Sequence, residues 1–278
     1  MHLLKRSANK DADMEKVLEY VDNSFESAEE QAAFDVYDAN NINPLYGFFV
    51  ARAGLGAGES MRSKLAEYND PRLSRAFITK QGASGKEQAP GSADNAVYAP
   101  NGSPEQGTSK YGTSLFMYSI SAPTLLLSYH ELKFLEAEAL CRLGRDAKSA
   151  LKDAVVAGLL NAENSFSVSR KELGKTLINP ASSITDTEAE SYFDNTVEAK
   201  YTAEPLKTTM TQKYFALWGA SGEATESYND VRRMKGLGEN FIELKNPNSF
   251  PLRCPYGNSD TTTNAEVKAA YGNGQYVY

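Results

Sequence analysis

One Gly-, Ser- and Pro-rich stretch of the sequence, residues 81–114, carries side chains whose chemistry suits a neutral sugar. A tyrosine ring offers a flat apolar face to the axial hydrogens of a sugar, and an asparagine amide can donate to or accept from its hydroxyls. The alternative is that this long loop insertion has no fixed conformation or faces a partner protein. The candidate ligand-binding residues of the stretch are Asn95, Tyr98, Asn101 and Tyr111.

Other aromatic residues allow the same chemistry elsewhere in the chain. Tyr46 and Phe48 lie two residues apart and are the second set of candidates for ligand binding. Trp218, the single tryptophan, shares one side of a predicted helix with Tyr214. This spacing favours a core position for Trp218 over a sugar platform.

Three glutamates near the middle of the chain, Glu131, Glu136 and Glu138, are carboxyl groups of the kind that a glycosidase requires. On a helix, however, positions 136 and 138 point about 200° apart, so the two side chains do not converge on one sugar oxygen. Solvation or ion pairing with Lys133 and Arg142 is therefore favoured over catalysis.

Histidine and cysteine offer little material for catalysis or metal binding. His130 and Cys141 lie on one predicted helix, roughly 16 Å apart along its axis, which is too far for a nucleophile and its base. The two cysteines, Cys141 and Cys254, cannot build a zinc site of ordinary spacing. The glycines of Gly54–Ser60 lack the spacing of a dinucleotide loop. We therefore expect no metal and no cofactor.

The charge balance argues against nucleic acid as a partner. The chain has 29 Lys and Arg against 36 Asp and Glu, which gives a net charge of -7, and no basic run. The pair Arg232 and Arg233 could clamp an anion. Helical spacing from Glu226 and Asp230 favours ion pairs within a helix, or anchoring of the C-terminal segment, instead.

The stretch around Gly144 predicts a helical hairpin with close packing. The first helix has two apolar stripes, so it is expected to face two neighbours. One stripe is Leu132, Leu135, Ala139 and Leu143, and the other is Phe134, Ala137 and Cys141. Gly144 suits a left-handed turn. The second helix presents small and apolar residues to its partner, which are Ala147, Ala150, Leu151, Ala154, Val155 and Leu159.

The rest of the sequence predicts a mainly α protein. Further helices are expected in segments that carry helical periodicity and start signals; they are 11–25, 59–69, 185–202, 204–220 and 222–236. Residues 40–46 and the region after Gly238 are expected to be irregular. No apolar run approaches the roughly 20 residues of a membrane-spanning helix.

Four segments in order along the chain resemble the SusD/RagB family, in particular its SusD-like branch of outer-membrane nutrient-binding lipoproteins. They are NDPRL at Asn69–Leu73, SAPTLLLSYHELKFLEAEALCRLGR at Ser121–Arg145, TQKYFALWG followed by ESYNDVRRMKG at Thr211–Gly236, and FPLRCPYGNSDTTTN at Phe250–Asn264. The opening HLLKRSANKD is similar to a helix in the middle of that family. The chain is therefore expected to be one SusD-like domain, residues 1–278, without the family's N-terminal half.

The resemblance implies tetratricopeptide-like helical hairpins with long irregular loops. It also implies a non-enzymatic, cell-surface component that binds a glycan or another nutrient, such as a peptide, and sits on a SusC-like TonB-dependent transporter. The full-length protein would be held at the outer membrane by a lipid anchor absent from this chain. The alternative is a tetratricopeptide-like scaffold that binds peptide segments of partner proteins.

Overall fold

The computed structural model describes residues 1, 4–51, 56–81, 86–88, 97–102, 111–178, 180–220, 222–245 and 257–271. The chain forms two compact units, Met1–Glu243 and Leu244–Tyr278. Helices predominate in the described residues, which confirms the predicted mainly α class. The helices of the first unit are α1 Lys10–Asp22, α2 Pro44–Ala51, α3 Glu59–Glu67, α4 Tyr129–Arg142, α5 Lys148–Leu173, α6 Asp186–Tyr192, α7 Glu198–Ala203, α8 Pro205–Ala216 and α9 Ala224–Leu237.

Short helical turns supplement these helices. The 3-10 turns are Leu4–Arg6, Pro71–Ser74, Leu115–Tyr118 and Gly174–Thr176, and a π-helical turn, Phe193–Val197, joins α6 to α7. No helix among the described residues has both the length and the apolar character needed to cross a membrane.

The predicted hairpin is formed by α4 and α5. The Ser128 hydroxyl caps α4 by accepting the Glu131 backbone N–H at 3.0 Å. Gly144 follows the helix with φ of 68°, a left-handed conformation that costs a glycine little. Both apolar sides of α4 are covered, since Leu132, Phe134, Ala137 and Ala139 are all buried. The prediction that this helix has two packing neighbours is confirmed.

Helix α5 forms the centre of the core. All six residues of its predicted packing face, from Ala147 to Leu159, are buried, and the buried stripe continues to Phe166. Gly158 lies against α8: a Cβ built on it would lie 2.9 Å from the Cβ of Ala216. The small residues therefore allow close helix packing, as predicted. Trp218 packs against Phe77 and Phe116, with ring centroids 5.2 and 5.1 Å apart, so its predicted core role is confirmed.

The strands are short and lie in two sheets. They are β1 Ala32–Phe34, β2 Phe77–Gln81, β3 Lys86–Gln88, β4 Thr113–Ser114, β5 Thr124–Leu127 and β6 Leu177–Ile178. One sheet is the antiparallel pair β1-β5, and the other has the order β4-β2-β3-β6, in which only β3 and β6 are parallel. The long stretch 81–114 thus contributes two strands, while 82–85, 89–96 and 103–110 lie outside the described residues.

Two local expectations were wrong. Residues 40–46 were expected to be irregular, but α2 begins at Pro44, and the Asn43 side chain accepts the Leu45 N–H at 2.8 Å. An Asn-Pro pair starts this helix because proline fits the first helical position. In the second unit, the expected irregular region holds α10 Asn258–Thr263 and α11 Ala265–Tyr271. The Asn264 side chain caps α11 by accepting two backbone N–H groups.

Candidate ligand-binding groove

The tyrosines predicted to bind ligand within residues 81–114 are packed against the core. The Tyr98 ring is partly buried, meets the Phe77 ring edge-on with 5.3 Å between centroids, and lies 5.7 Å from the Arg62 guanidinium. Tyr111 is only 5% exposed. An aromatic ring that stacks on a sugar needs an open face, so the buried Tyr111 would have to leave its position to do so.

Of the two candidate asparagines in the same stretch, the structure describes Asn101. The Asn101 amide oxygen accepts the Ser60 backbone N–H, 3.2 Å away, at the start of α3. Backbone hydrogen bonds join the segments around Ala57, Ala99 and Gly112. Tyr98 and Asn101 lie on the Ala99 segment, and Tyr111 lies on the Gly112 segment. Asn95 lies outside the described residues.

Tyr46 and Phe48 lie elsewhere, on α2. The Tyr46 hydroxyl donates to Oε1 of Glu172 on α5 at 3.3 Å, and Phe48 is 49% exposed. The neighbouring Phe49 is buried and meets Tyr118 edge-on at 5.0 Å. Helix α2 therefore presents partly open aromatic residues, separate from the paired segments that hold Tyr98.

The glutamates considered for catalysis are ion paired. Glu136 accepts from Lys133 at 2.8 Å, and Glu138 accepts from Arg142 at 2.7 Å, as predicted. Glu138 is fully buried rather than solvated, and Glu131 lies 3.6 Å from the Lys213 ammonium. The helical pair Arg233–Asp230 is also present, at 2.7 Å, in line with the predicted pairing.

A groove along α5 is a second kind of candidate site, since it is a cavity rather than a set of rings packed against the core. Its volume is about 360 Å³, within the range of small-molecule sites. We call it the α5 groove; it is lined by the segment that follows α1, the first turn of α4, one face of α5 and Glu190 of α6. The lining residues are Glu26, Ser27, Ala28, Gln31, Tyr129, His130, Lys152, Asp153, Val156, Ala157, Leu160, Asn161, Asn164 and Glu190.

The α5 groove combines an apolar floor with unused amides. Val156, Ala157 and Leu160 supply apolar surface. Among the described residues, the side-chain amides of Asn161 and Asn164 make no hydrogen bond. Gln31 accepts the Tyr129 backbone N–H at 3.2 Å, which leaves its amide NH₂ as a donor.

The charged groups of the groove are mainly acidic. The carboxylates of Glu26, Asp153 and Glu190 have no hydrogen-bond or ion-pair partner within the described ranges of the chain. Lys152, by contrast, binds both oxygens of Asp194, at 2.8 and 3.0 Å. Burial raises the pKa of Asp153, which indicates that its charge is incompletely solvated.

His130 lies at the inner wall of the groove and is only 1% exposed. Burial, together with the charges of Arg72 and Lys213, lowers the pKa of His130 to about 3, so the ring is neutral near pH 7. Its Nε2 has no hydrogen-bond partner in the part of the chain described. In that part, no group of His, Cys, Asp or Glu is arranged to hold a metal ion.

Sequence reasoning missed this groove, although one signal was present. Positions 153, 157, 160, 161 and 164 share one face of a helix, and they combine the apolar Ala157 and Leu160 with polar side chains. The prediction of the hairpin used only the residues on the buried face of α5. The contributions of Gln31 and Glu190 depend on packing between distant segments and leave no local pattern.

Comparisons with known proteins agree with the fold. The family model described as "Starch-binding associating with outer membrane", which is SusD-like, matches residues 1–256. None of the curated proteins matches. The chain belongs to the SusD-like family, as the sequence resemblance predicted.

Solved structures extend this comparison. A SusD/RagB family protein from Bacteroides thetaiotaomicron is 64% identical with a TM-score of 0.91, and the match covers 100% of this chain and 60% of that chain. A SusD homologue from Bacteroides fragilis is 20% identical, with a TM-score of 0.65 and coverage of 99% and 62%. A chitin-binding protein is 18% identical, with a TM-score of 0.57 and coverage of 90% and 54%. This chain therefore spans less than two thirds of the length of each of these proteins.

Proposed function

We propose that this chain binds a glycan, or another nutrient, without catalysing its breakdown, as part of a SusC/SusD-type uptake complex at the outer membrane. Membership of a family described as starch-binding and associated with the outer membrane supports this proposal. The chitin-binding protein of related fold is consistent with a carbohydrate ligand, although its low identity supports the fold alone.

The α5 groove is the proposed ligand site, and one observation carries this assignment. Unused amides of Asn161 and Asn164 lie beside an apolar floor in a cavity of suitable volume. A sugar presents both C–H faces and hydroxyls, so it can cover the floor while its hydroxyls satisfy the amides. The Tyr129 ring adds an aromatic wall, although the Lys133 ammonium lies 5.9 Å from its centroid.

The partners follow from the proposed role. A SusC-like TonB-dependent transporter would receive the ligand, and a lipid anchor on the full-length protein would hold the complex at the cell surface. The partly open α2 aromatics, Tyr46 and Phe48, form a second proposed ligand surface. Tyr98 and Asn101 remain candidates. A ligand that binds them would have to compete with their present contacts to Arg62 and Ser60.

Titration calorimetry with neutral oligosaccharides tests the proposal. The panel contains maltotetraose, cellotetraose and tetra-N-acetylchitotetraose. We expect at least one to bind, and we expect Asn161→Ala to weaken binding about 5- to 10-fold, close to the loss of one hydrogen bond. Because the Asn161 amide makes no hydrogen bond to the described residues, this substitution should leave folding intact.

Phe48→Ala, on α2, is the matched control for the groove assignment. Unchanged affinity in Phe48→Ala together with weaker binding in Asn161→Ala places the ligand in the α5 groove. The reverse result moves the site to α2. If no oligosaccharide binds to the chain, the proposed carbohydrate ligand is wrong.

The alternative function, a helical scaffold for peptide segments, gains support from one feature. The α5 groove runs beside a helical hairpin and carries acceptors that an extended peptide backbone could use. Binding to a library of unstructured peptides, abolished by Asn161→Ala and not competed by any sugar, would favour the scaffold over carbohydrate capture.

A further inference from the structure

The α5 groove contains more negative than positive charge that is free to meet a ligand. We infer that it prefers saccharides carrying a protonated amine over neutral saccharides, and disfavours those carrying carboxylate or sulfate groups. This inference rests on the proposed carbohydrate function. It concerns the chemical class of the ligand rather than the existence of the site.

The acidic groups come from three separate elements. Glu26 precedes β1, Asp153 lies on α5 and Glu190 lies on α6, and all three line the groove. Within the described residues, none of these carboxylates has a hydrogen-bond or ion-pair partner. An ammonium group has three N–H donors, so it can satisfy acceptors that approach from different directions.

The charges of Lys133 and Lys152 offset part of the charge on Asp153, but both lysines are ion paired with other carboxylates. Lys152 is engaged by both carboxylate oxygens of Asp194, at 2.8 and 3.0 Å. Lys133, which faces the Tyr129 ring, is bound to Glu136 at 2.8 Å. The buried His130 is neutral near pH 7. An anionic sugar would therefore meet unpaired carboxylates without a free cation in the groove lining.

The groove is more than a cluster of acidic residues. Its apolar floor, at Val156, Ala157 and Leu160, and the unused amides of Asn161 and Asn164 provide surface for the body of a sugar. The charge then discriminates between sugars of similar shape. Since the acidic side chains are partly solvated, salt should weaken this discrimination.

Matched tetrasaccharides test the inference by calorimetry at pH 6 and low salt. The probes are the glucosamine tetramer, its N-acetylated form, cellotetraose and tetragalacturonate. We expect the glucosamine tetramer to bind about tenfold more tightly than cellotetraose, with most of the difference lost at 0.5 M NaCl, and tetragalacturonate to bind most weakly. The double substitution Asp153→Asn and Glu190→Gln should reduce the tenfold ratio to about twofold.

Glu204→Gln provides the control, because Glu204 is an exposed carboxylate outside the groove lining, paired with Lys207 at 2.8 Å. This variant should keep the tenfold ratio. Equal binding of the amine and neutral tetramers, or an unchanged ratio in the double variant, overturns the inference but leaves carbohydrate binding standing. Failure of all four tetramers to bind contradicts the proposed function itself and removes the basis of the inference.

Discussion

The Glu138 carboxylate of α4 and the Arg233 guanidinium of α9 form an ion pair in the protein interior, with 0% and 1% of their side chains exposed. Arg233 Nη2 donates to Glu138 Oε2 at 2.9 Å, and Arg142 and Asp230 extend the pair into a network. Burial alone would raise the pKa of Glu138. The charges of Arg233 and Arg142 outweigh that effect and hold its pKa below the usual value.

Removing one member of this pair is expected to destabilise the fold. Among the described residues, Glu138→Ala leaves the buried Arg233 with Asp230, which is shared with Lys213. Removing one partner of a buried ion pair typically costs about 3–5 kcal/mol of unfolding free energy. Urea denaturation followed by circular dichroism measures the loss. The double substitution Glu138→Leu and Arg233→Met should cost less than Glu138→Ala alone, because it removes both charges.

The exposed pair Lys207–Glu204 serves as the control for that experiment. Lys207→Ala should change the unfolding free energy by no more than about 1 kcal/mol, since solvent screens exposed pairs. A loss in Glu138→Ala as small as that in Lys207→Ala would show that the buried network contributes little to stability.

The helical scaffold could be predicted from the sequence, because its signals are local. The 3.6-residue period, the serine before α4 and the glycine after it all lie within the segments that they specify. Ion pairs at helical spacing, such as Arg233 with Asp230, were likewise predictable. The partnership of Glu138 with Arg233 was not, because these residues are 95 positions apart and meet only when α4 packs near α9.

The site was less predictable than the scaffold for the same reason. Tyr98 and Tyr111 lie in a polar stretch that predicts solvent exposure. Tyr111 is nevertheless buried, beside the hydrogen bond between Ala57 and Gly112, and the contact with Phe77 partly covers Tyr98. The α5 groove depends on four parts of the chain: the segment after α1, the first turn of α4, one face of α5 and Glu190 of α6. Periodicity identifies the exposed face of α5 but not the residues that turn this face into a groove.

The stability of the protein is expected to fall as pH rises from neutral to mildly alkaline, because of Glu223. This carboxyl group is buried and accepts the Ser128 backbone N–H. Burial, with the added charge of Glu131, raises the pKa of Glu223 from 4.5 to about 8. The folded state therefore binds this proton more tightly than the unfolded state. The stabilisation of the folded state by protonated Glu223 is complete below pH 4.5 and is lost as pH rises through 8.

Glu223→Gln should remove this dependence, because glutamine retains an oxygen for the Ser128 N–H and has no proton to lose. Denaturation at pH 6.5, 7.25 and 8 should show a fall of at most about 1.4 kcal/mol per pH unit in the parent chain. The difference between the two proteins isolates Glu223 from other groups. His130 acts in the opposite sense, because its pKa is lowered in the folded state. It removes stability only as pH falls from 6.5 toward 3, which is below the pH range of this experiment. Parallel pH profiles of parent and variant would contradict the prediction.

Gly158 is expected to tolerate no side chain without a loss of stability. A Cβ at this position would lie 2.9 Å from the Cβ of Ala216, and the contact joins two helices, α5 and α8. Gly158→Ala should lower the unfolding free energy by about 1–3 kcal/mol through overpacking, despite the higher helix propensity of alanine. If Gly158→Ala is as stable as the parent or more stable, α5 and α8 do not pack as closely as described.

The final prediction concerns the buried pair Asp70 and Arg72 in the NDPRL segment. The Asp70 carboxylate accepts the Arg72 backbone N–H at 2.9 Å and two guanidinium hydrogen bonds at 2.8 and 2.6 Å. It therefore caps the turn Pro71–Ser74 and neutralises Arg72, whose side chain is 2% exposed. Asp70→Ala removes both roles and should cost about 3–5 kcal/mol of unfolding free energy.

Asp70→Asn keeps an oxygen for the backbone N–H but loses the charge, so its cost should be smaller than that of Asp70→Ala and still measurable by urea denaturation. Equal losses in the two variants would mean that capping contributes nothing, and a negligible loss in both would mean that Arg72 finds another partner.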